Sequence, residues 1–519
     1  MRSLLQTITI AGLAVLMVSL GGCDITSLND NPNQPSDATP PKLLANAQAE
    51  IADQYWRDYA GGFWVRYAQY WTTNQYTDAD RYQYASSRPG GLNALWENYY
   101  LALNNLQEVI RINRNSPQSA QAYGPNDNQI AVAKIMQAWT VKTMTDMFGP
   151  IPLSSALQGR SSSDAFTPGY DSQEAVYDSL LTMLTDASQR IDTGTNALAS
   201  GDKVYGGDMS KWKKFANALK MRVAITLADR SPGVAETAIE EAISAGTFES
   251  NDDSAVMAFD TSPPFQNPFY ENRVVSGRQD WAATESMLNP MNQTNDPRRS
   301  AYYTDALPEE SGDQFVGFPY GLSQGDAQSL FTSSSFSIPS ERVASTPNAP
   351  AIFMLYDEVQ FIKAEAALRS DLNVSNISMS GQALYEDAIE ASMQYWGASE
   401  SEITDYFAQS GVPTPVSSSN YEQVLGTQKW IAQYLQGVPG WTTFRRLDFE
   451  GVLSPPAGNP GQEQFSRAFA VRMVYPNDEF SLNEDNVNTA IQDLLGGGGA
   501  GGDNQGVLLW WDTEPPPTP

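Results

Sequence analysis

No histidine occurs in this chain, and its one cysteine is Cys23. Nucleophile–base chemistry of the Ser-His-Asp or Cys-His kind cannot be assembled without histidine, and neither can a histidine zinc site. What remains is chemistry run by carboxylates, Lys, Tyr, Ser and oxygen-bound metals. The 60 acidic residues leave room for the two carboxylates that a glycosidase places on either side of a scissile bond, but no motif singles out such a pair. No metal cluster is legible either, although calcium held by Asp and backbone oxygens stays open. The residue inventory alone thus leaves a binding protein and a carboxylate hydrolase both open.

Cys23 has a more specific reading. It follows Leu20-Gly21-Gly22 at the end of an apolar run over residues 4–20, with Arg2 the only charge ahead of it. The run is short and is broken by Gln6, Thr7, Thr9 and Ser19, which suits a cleaved export signal better than a membrane span. The expectation is a lipoprotein signal peptide over residues 1–22, cleavage before Cys23, and a diacylglycerol on the Cys23 thiol. Acylation takes the last thiol away from disulfide and nucleophile roles. Residues 23–40 are rich in Asn, Pro, Asp and Ser, the composition of a lipidated tether.

The elements that must position any site are helical. Residues 127–148 put Val132, Met136 and Trp139 on one stripe, and residues 211–229 do the same with Trp212, Phe215, Leu219 and Val223. The other positions of that second segment hold Lys211, Lys213, Lys214, Lys220 and Arg222, read as a solvated or salt-bridged face. Further helices are expected at 92–112, 171–190, 234–245, 355–369, 382–395, 400–409 and 421–436, and residues 55–71 read as one continuous helix. Two of these segments follow a partner at short spacing and carry small Ala residues, like the second helix of a tetratricopeptide repeat. Periodicity vanishes between about 251 and 351, a stretch dense in prolines and aromatics. It reads as an irregular sub-domain laid on the scaffold, because a hundred such residues cannot form one structureless loop. The expected organisation is a single domain over 41–519, with helical scaffold at about 41–250 and 352–450, the irregular insertion at about 251–351, and an irregular C-terminal segment at 451–519. Trp510-Trp511-Asp512 reads as packing that holds down the C-terminus. The Gly-rich run at 496–502 lacks the Lys-Ser/Thr of a phosphate loop and reads as a flexible link. A net charge of −29 argues against nucleic-acid partners.

Several blocks in order carry a family resemblance: Asn31-Pro32-Asn33, Met147-Phe148-Gly149-Pro150-Ile151-Pro152, Tyr170-Asp171, the stretch 211–222, Asn295-Asp296-Pro297-Arg298, the stretch 358–367, Gln428-Lys429-Trp430, Trp441 with Phe444-Arg445-Arg446, and the stretch 472–479. With the Leu20-Gly21-Gly22-Cys23 lipoprotein signal, they resemble the SusD/RagB-like family of outer-membrane nutrient-binding lipoproteins. The resemblance implies a mostly α fold, with a tetratricopeptide-like scaffold of helix pairs and a ligand site on irregular loops. It implies a cell-surface protein, lipid-anchored to the outer membrane and facing the exterior. The resemblance also implies a non-enzyme with no required cofactor, which binds a glycan and hands it to a SusC-like TonB-dependent transporter barrel. The alternatives are a peptide-binding member of the family, a carboxylate-based glycoside hydrolase, or a protein-binding scaffold with no small ligand. Within the blocks, Arg222 and Arg298 read as partners of buried carboxylates rather than ligand contacts.

A glycan site needs rings for the C–H faces of sugars and polar groups for their hydroxyls. Residues 63–84 and 281–320 have that mixture. The candidate ligand contacts are Trp71, Tyr76, Arg81, Tyr82, Trp281 and Tyr320, expected on one concave surface.

Overall fold

A computed structural model describes residues 38–57, 64–158, 166–306, 315–333, 335–496 and 502–516. Cys23, the export signal and most of the tether lie outside the described residues.

The fold is mostly helical, as expected. Six helices run in succession: α1 (Pro40–Trp56), α2 (Pro89–Asn115), α3 (Asn126–Phe148), α4 (Gln173–Arg190), α5 (Met209–Thr226) and α6 (Pro232–Ala245). Each packs on the next, so the chain climbs as a series of helical hairpins. After the irregular stretch come α7 (Tyr356–Leu368), α8 (Gly381–Trp396), α9 (Tyr421–Ala432) and α10 (Gly437–Leu447). Helix α7 packs against α8, α9 and α5, and α10 reaches back to α3. Side-chain oxygens start several of these helices: Asp208 accepts from the Ser210 and Lys211 amides, and Ser380 from the Ala383 amide. Each satisfies an amide that the first helical turn leaves without an intrahelical partner. Ala235, Ala238 and Ala242 line the buried face of α6, where short side chains let it approach α5 closely.

The helix expected over 55–71 does not form as one piece. Helix α1 ends at Trp56, a single turn follows at Trp64–Tyr67, and Trp71 opens a strand. Gln69 takes a left-handed backbone (φ 58°), which no helix tolerates in its interior. The helix expected over 421–436 stops at Ala432, and Leu435 also turns left-handed (φ 67°). Helix α10 then begins at Gly437, which the residue types disguised, because Gly437, Pro439 and Gly440 look like loop punctuation. The glycines are required by close approach. A Cβ on Gly440 would lie 2.0 Å from the Tyr70 hydroxyl, and one on Gly437 would lie 2.4 Å from the Trp64 backbone. Pro439 sits in the first turn, where its missing N–H costs nothing. Helix α3 is buried on nearly every face, since α2, α4, α5 and α10 all surround it.

Two short antiparallel ribbons tie the irregular stretch to the scaffold. Strand β1 (Trp71–Thr73) pairs with β3 (Trp281–Ala283), with Trp71 opposite Ala283 and Thr73 opposite Trp281. Strand β2 (Ala255–Met257) pairs with β4 (Ala351–Met354). The terminal segment closes on the same core, with Trp511 fully buried and the Trp510 amide donating to Gln173 at 2.7 Å.

Three members of the basic cluster on α5 are ion-paired, and Lys211 donates to the Asp252 carbonyl at 2.8 Å. Lys214 meets Glu249 at 2.6 Å and Asp253 at 3.0 Å, and Lys220 meets Glu241 at 2.5 Å. Arg222 donates to both oxygens of Glu358 at 2.6 and 2.5 Å. Arg298 donates to both oxygens of Asp296 at 3.0 and 2.6 Å, with both side chains fully buried. Arg446 forks onto Glu365, with its Nη2 at 2.6 Å. The blocks that carry the resemblance are therefore largely an internal ionic frame that joins α5, α7, α9 and α10.

Candidate ligand-binding groove

The β1–β3 ribbon brings together two loops about 200 residues apart in sequence. The loop leaving β1 carries Asn74, Gln75 and Tyr76. The loop entering β3 carries Gly277, Arg278, Gln279 and Asp280, and the Asn74 amide donates to the Asp280 carbonyl at 2.9 Å. Helix Gln324–Ser333 supplies the third wall through Gln328, Phe331 and Thr332. Between them lies a groove of about 500 Å³, within the roughly 300–1,000 Å³ of small-ligand sites.

Asp80 holds the β1 loop in shape. Its carboxylate is fully buried and accepts from Thr72 Oγ1 at 2.8 Å, the Thr73 amide at 2.8 Å and Thr73 Oγ1 at 3.1 Å, and it faces Arg66 Nε at 3.5 Å. Burial is the largest influence on this carboxyl and pushes it up to about 6, against the pull of Arg66 and the three hydrogen bonds. The folded protein thus holds the proton on Asp80 more tightly than the unfolded chain does. Between about pH 4 and 6 the folded state binds more protons, so this residue's contribution to stability falls as pH rises. Asp80→Asn removes that titration. Thermal melting of the variant relative to the parent is expected to improve progressively from pH 4 to 6. A difference that stays flat across this window would contradict the assignment.

Tyr76 is the exposed aromatic on the groove wall, which Phe331 shares. Tyr76 is 52% exposed, and its backbone is left-handed (φ 57°). Left-handed backbone at a bulky residue is strained, and such strain collects at functional positions. The Arg88 guanidinium lies 5.1 Å from the ring centroid and that of Arg278 lies 5.6 Å from it. Both arginines are themselves held: Arg88 by Asp78 at 3.1 Å, and Arg278 by a two-pronged contact with Asp280 at 3.1 and 2.6 Å. The Arg278 guanidinium also lies 5.6 Å from the Trp281 ring. Cation, ring and carboxylate form a fixed stack, so the wall is set before any ligand arrives.

The remaining candidates fall elsewhere. Trp71 and Trp281 are each 1% exposed. Their rings pack on each other at 5.2 Å and on Phe269 at 4.7 and 5.8 Å, and Trp71 Nε1 donates to the Tyr434 hydroxyl at 2.8 Å. Trp281 lies under the Arg278 guanidinium and Trp71 packs on Trp281; neither ring lines the groove, and no sugar ring can stack on faces already covered. Tyr82 is buried against Tyr67 at 5.4 Å and Phe465 at 5.8 Å, and Tyr320 is buried as well. Arg81 donates to the carbonyls of Gly321 and Ala457, both at 2.8 Å, and serves as a brace between loops. None of Trp71, Arg81, Tyr82, Trp281 and Tyr320 lines the groove, so the single concave surface expected for all six residues does not form. The residues missed are Arg278, Gln279, Asp280, Gln328, Phe331 and Thr332. Polar residues directly ahead of Trp281, and the one-face spacing of 328, 331 and 332 on a short helix, were the available signals.

Among the described residues, no group of three or more acidic side chains could hold a metal ion. No described helix is long and apolar enough to cross a membrane.

The profile of a family described as SusD-like, starch-binding associating with outer membrane, matches residues 32–476. No curated protein matches the chain. Solved structures do. A SusD homolog from Bacteroides uniformis is 25% identical over 91% of this chain and 99% of its own, with a TM-score of 0.74. A chitin-binding SusD homolog from Flavobacterium johnsoniae is 24% identical over 91% and 99%, with a TM-score of 0.73. A SusD homolog from Bacteroides vulgatus is 20% identical over 92% and 98%, with a TM-score of 0.75.

Proposed function

This chain belongs to the SusD-like family, and from that premise we propose that it captures a glycan in the groove beside Tyr76 and hands it to a TonB-dependent outer-membrane transporter. In this reading the protein is anchored through a lipid on Cys23 and faces the cell exterior. The observation that supports it best is the Tyr76 wall: an exposed ring on a strained loop, backed by a clamped arginine. It is surrounded by the amides of Asn74, Gln75, Gln279 and Gln328. The ring offers a face for sugar C–H groups, and the amides both donate to and accept from hydroxyls. Starch- and chitin-derived chains are the first ligands to try, given the family's description and the chitin-binding relative.

The groove supports binding over hydrolysis. Among the described residues, Asp280 is the only carboxylate on its walls, and both of its oxygens accept from Arg278. A glycosidase needs two carboxylates about 5–10 Å apart across the bond it breaks, one of them free to donate a proton. Affinity electrophoresis through gels cast with individual polysaccharides tests the capture step, and retardation in at least one gel is expected. No retardation by any polysaccharide would leave the protein-binding scaffold as the better reading. The handover has its own test. Detergent extraction at native expression, followed by pull-down of this chain, is expected to bring a large β-barrel protein with it; recovery of this chain alone would count against a transporter partner.

A further inference from the structure

The ionic frame encloses a cavity that the capture of a glycan does not use. It holds about 30 Å³ and its charged and amide lining is Lys142, Asp146, Arg222, Glu358, Lys429, Gln433 and Arg446, with hydroxyl and apolar groups between them. That volume suits one or two water-sized species. Every lining residue is buried except Pro439, which is half-buried.

The charges around it do not balance. Asp146 is taken by Lys142 and by the Tyr177 hydroxyl. Both oxygens of Glu358 are taken by Arg222, and both oxygens of Glu365 by Arg446. Lys429 is left over. Its ammonium lies 3.7 Å from Glu365 and donates to no acceptor among the described residues, although the side chain is 4% exposed. One turn further, Gln433 accepts from Thr443 at 2.7 Å, and its Nε2 likewise donates to nothing among the described residues. The Lys429 and Gln433 donors are four residues apart, on the same side of the chain, and both line the cavity. Burial pushes the Lys429 ammonium down to about 8, with Glu365 opposing and Arg446 assisting, which is the signature of a cation lacking a full counter-charge.

A water molecule can accept from these donors and donate to the threonine hydroxyl oxygens of the lining, but it brings no charge to answer the left-over ammonium. A species that only accepts, and carries one negative charge, satisfies both donors and the charge together. We infer that this cavity binds one desolvated monatomic anion of chloride size, held by Lys429 Nζ and Gln433 Nε2. The chain's net charge of −29 opposes such an ion, so the local donors alone must hold it. The site braces α9 against α3, α5 and α10, remote from the groove.

Two measurements test this on the full chain. Crystals grown in sodium bromide and measured at the bromine edge are expected to show one anomalous peak in the cavity, beside Lys429. At constant ionic strength, exchange of sodium gluconate for sodium chloride is expected to raise the melting temperature by roughly 2–3 °C at saturation. Lys429→Met is expected to lose that response. A water in the cavity with no anomalous signal, or melting indifferent to the salt in the parent protein, would overturn the proposal. The crystallographic arm needs no variant, so a failure of Lys429→Met to fold leaves the proposal decidable.

Discussion

Glu365→Ala is expected to lower the unfolding free energy by about 3–5 kcal/mol, the cost of removing one partner from a buried ion pair. Glu365 is fully buried and receives a two-pronged contact from Arg446, with Lys429 at 3.7 Å and Arg369 at 3.9 Å. Alanine leaves Arg446 in the interior without its acceptor and takes from Lys429 its nearest counter-charge, while Arg369 keeps Asp229 and Asp371, both at 2.7 Å; the penalty is far larger than the lost attraction in water would suggest. Burial alone would raise the Glu365 carboxyl, but Arg446 and Lys429 together hold it below its ordinary value. Its contribution is therefore present at neutral pH and lost as pH falls through that depressed value. Urea unfolding at pH 7 measures the effect. A double variant with Arg446→Met should lose less than the two single losses combined, because it removes both members of the pair. A loss below about 1 kcal/mol for Glu365→Ala, the scale of an exposed ion pair, would mean that the frame is open to water.

Tyr76→Ala is expected to weaken glycan binding about 10- to 100-fold, the effect of losing an aromatic anchor worth roughly 1.4–2.8 kcal/mol. Tyr76→Phe keeps the ring and should stay close to the parent. Tyr76→Gly separates binding from folding. Glycine adopts the left-handed backbone freely, so it should relieve about 1–2 kcal/mol of strain. That variant is expected to melt no lower than the parent while binding glycan as poorly as Tyr76→Ala. Binding undiminished in both Tyr76→Ala and Tyr76→Gly would place the ligand elsewhere on the molecule.

The helices were legible because a buried face repeats every three to four residues, as with Trp212, Phe215 and Leu219. Arg222 and Arg298 were legible as structural because a guanidinium inside a hydrophobic block needs a carboxylate. The groove was only half legible. Aromatic and amide residues marked both loops, but sequence does not tell an exposed ring from a buried one. Tyr76 faces solvent while Trp71 and Trp281 are buried, and that difference is set by the register of two strands about 200 residues apart. Arg278 escaped notice because its role depends on Asp280, Tyr76 and Trp281 meeting around it. Helix α10 was hidden by glycines whose purpose is to admit Tyr70 and Trp64, a contact visible only in three dimensions.

Calorimetric titration of the full-length protein with a panel of oligosaccharides, followed by chromatography of the recovered sugar, tests the central claim most directly. The expected result is saturable binding of at least one oligosaccharide near one per chain, with the sugar recovered at its original length. Absence of binding across the panel, or recovery of shortened chains, would contradict the account.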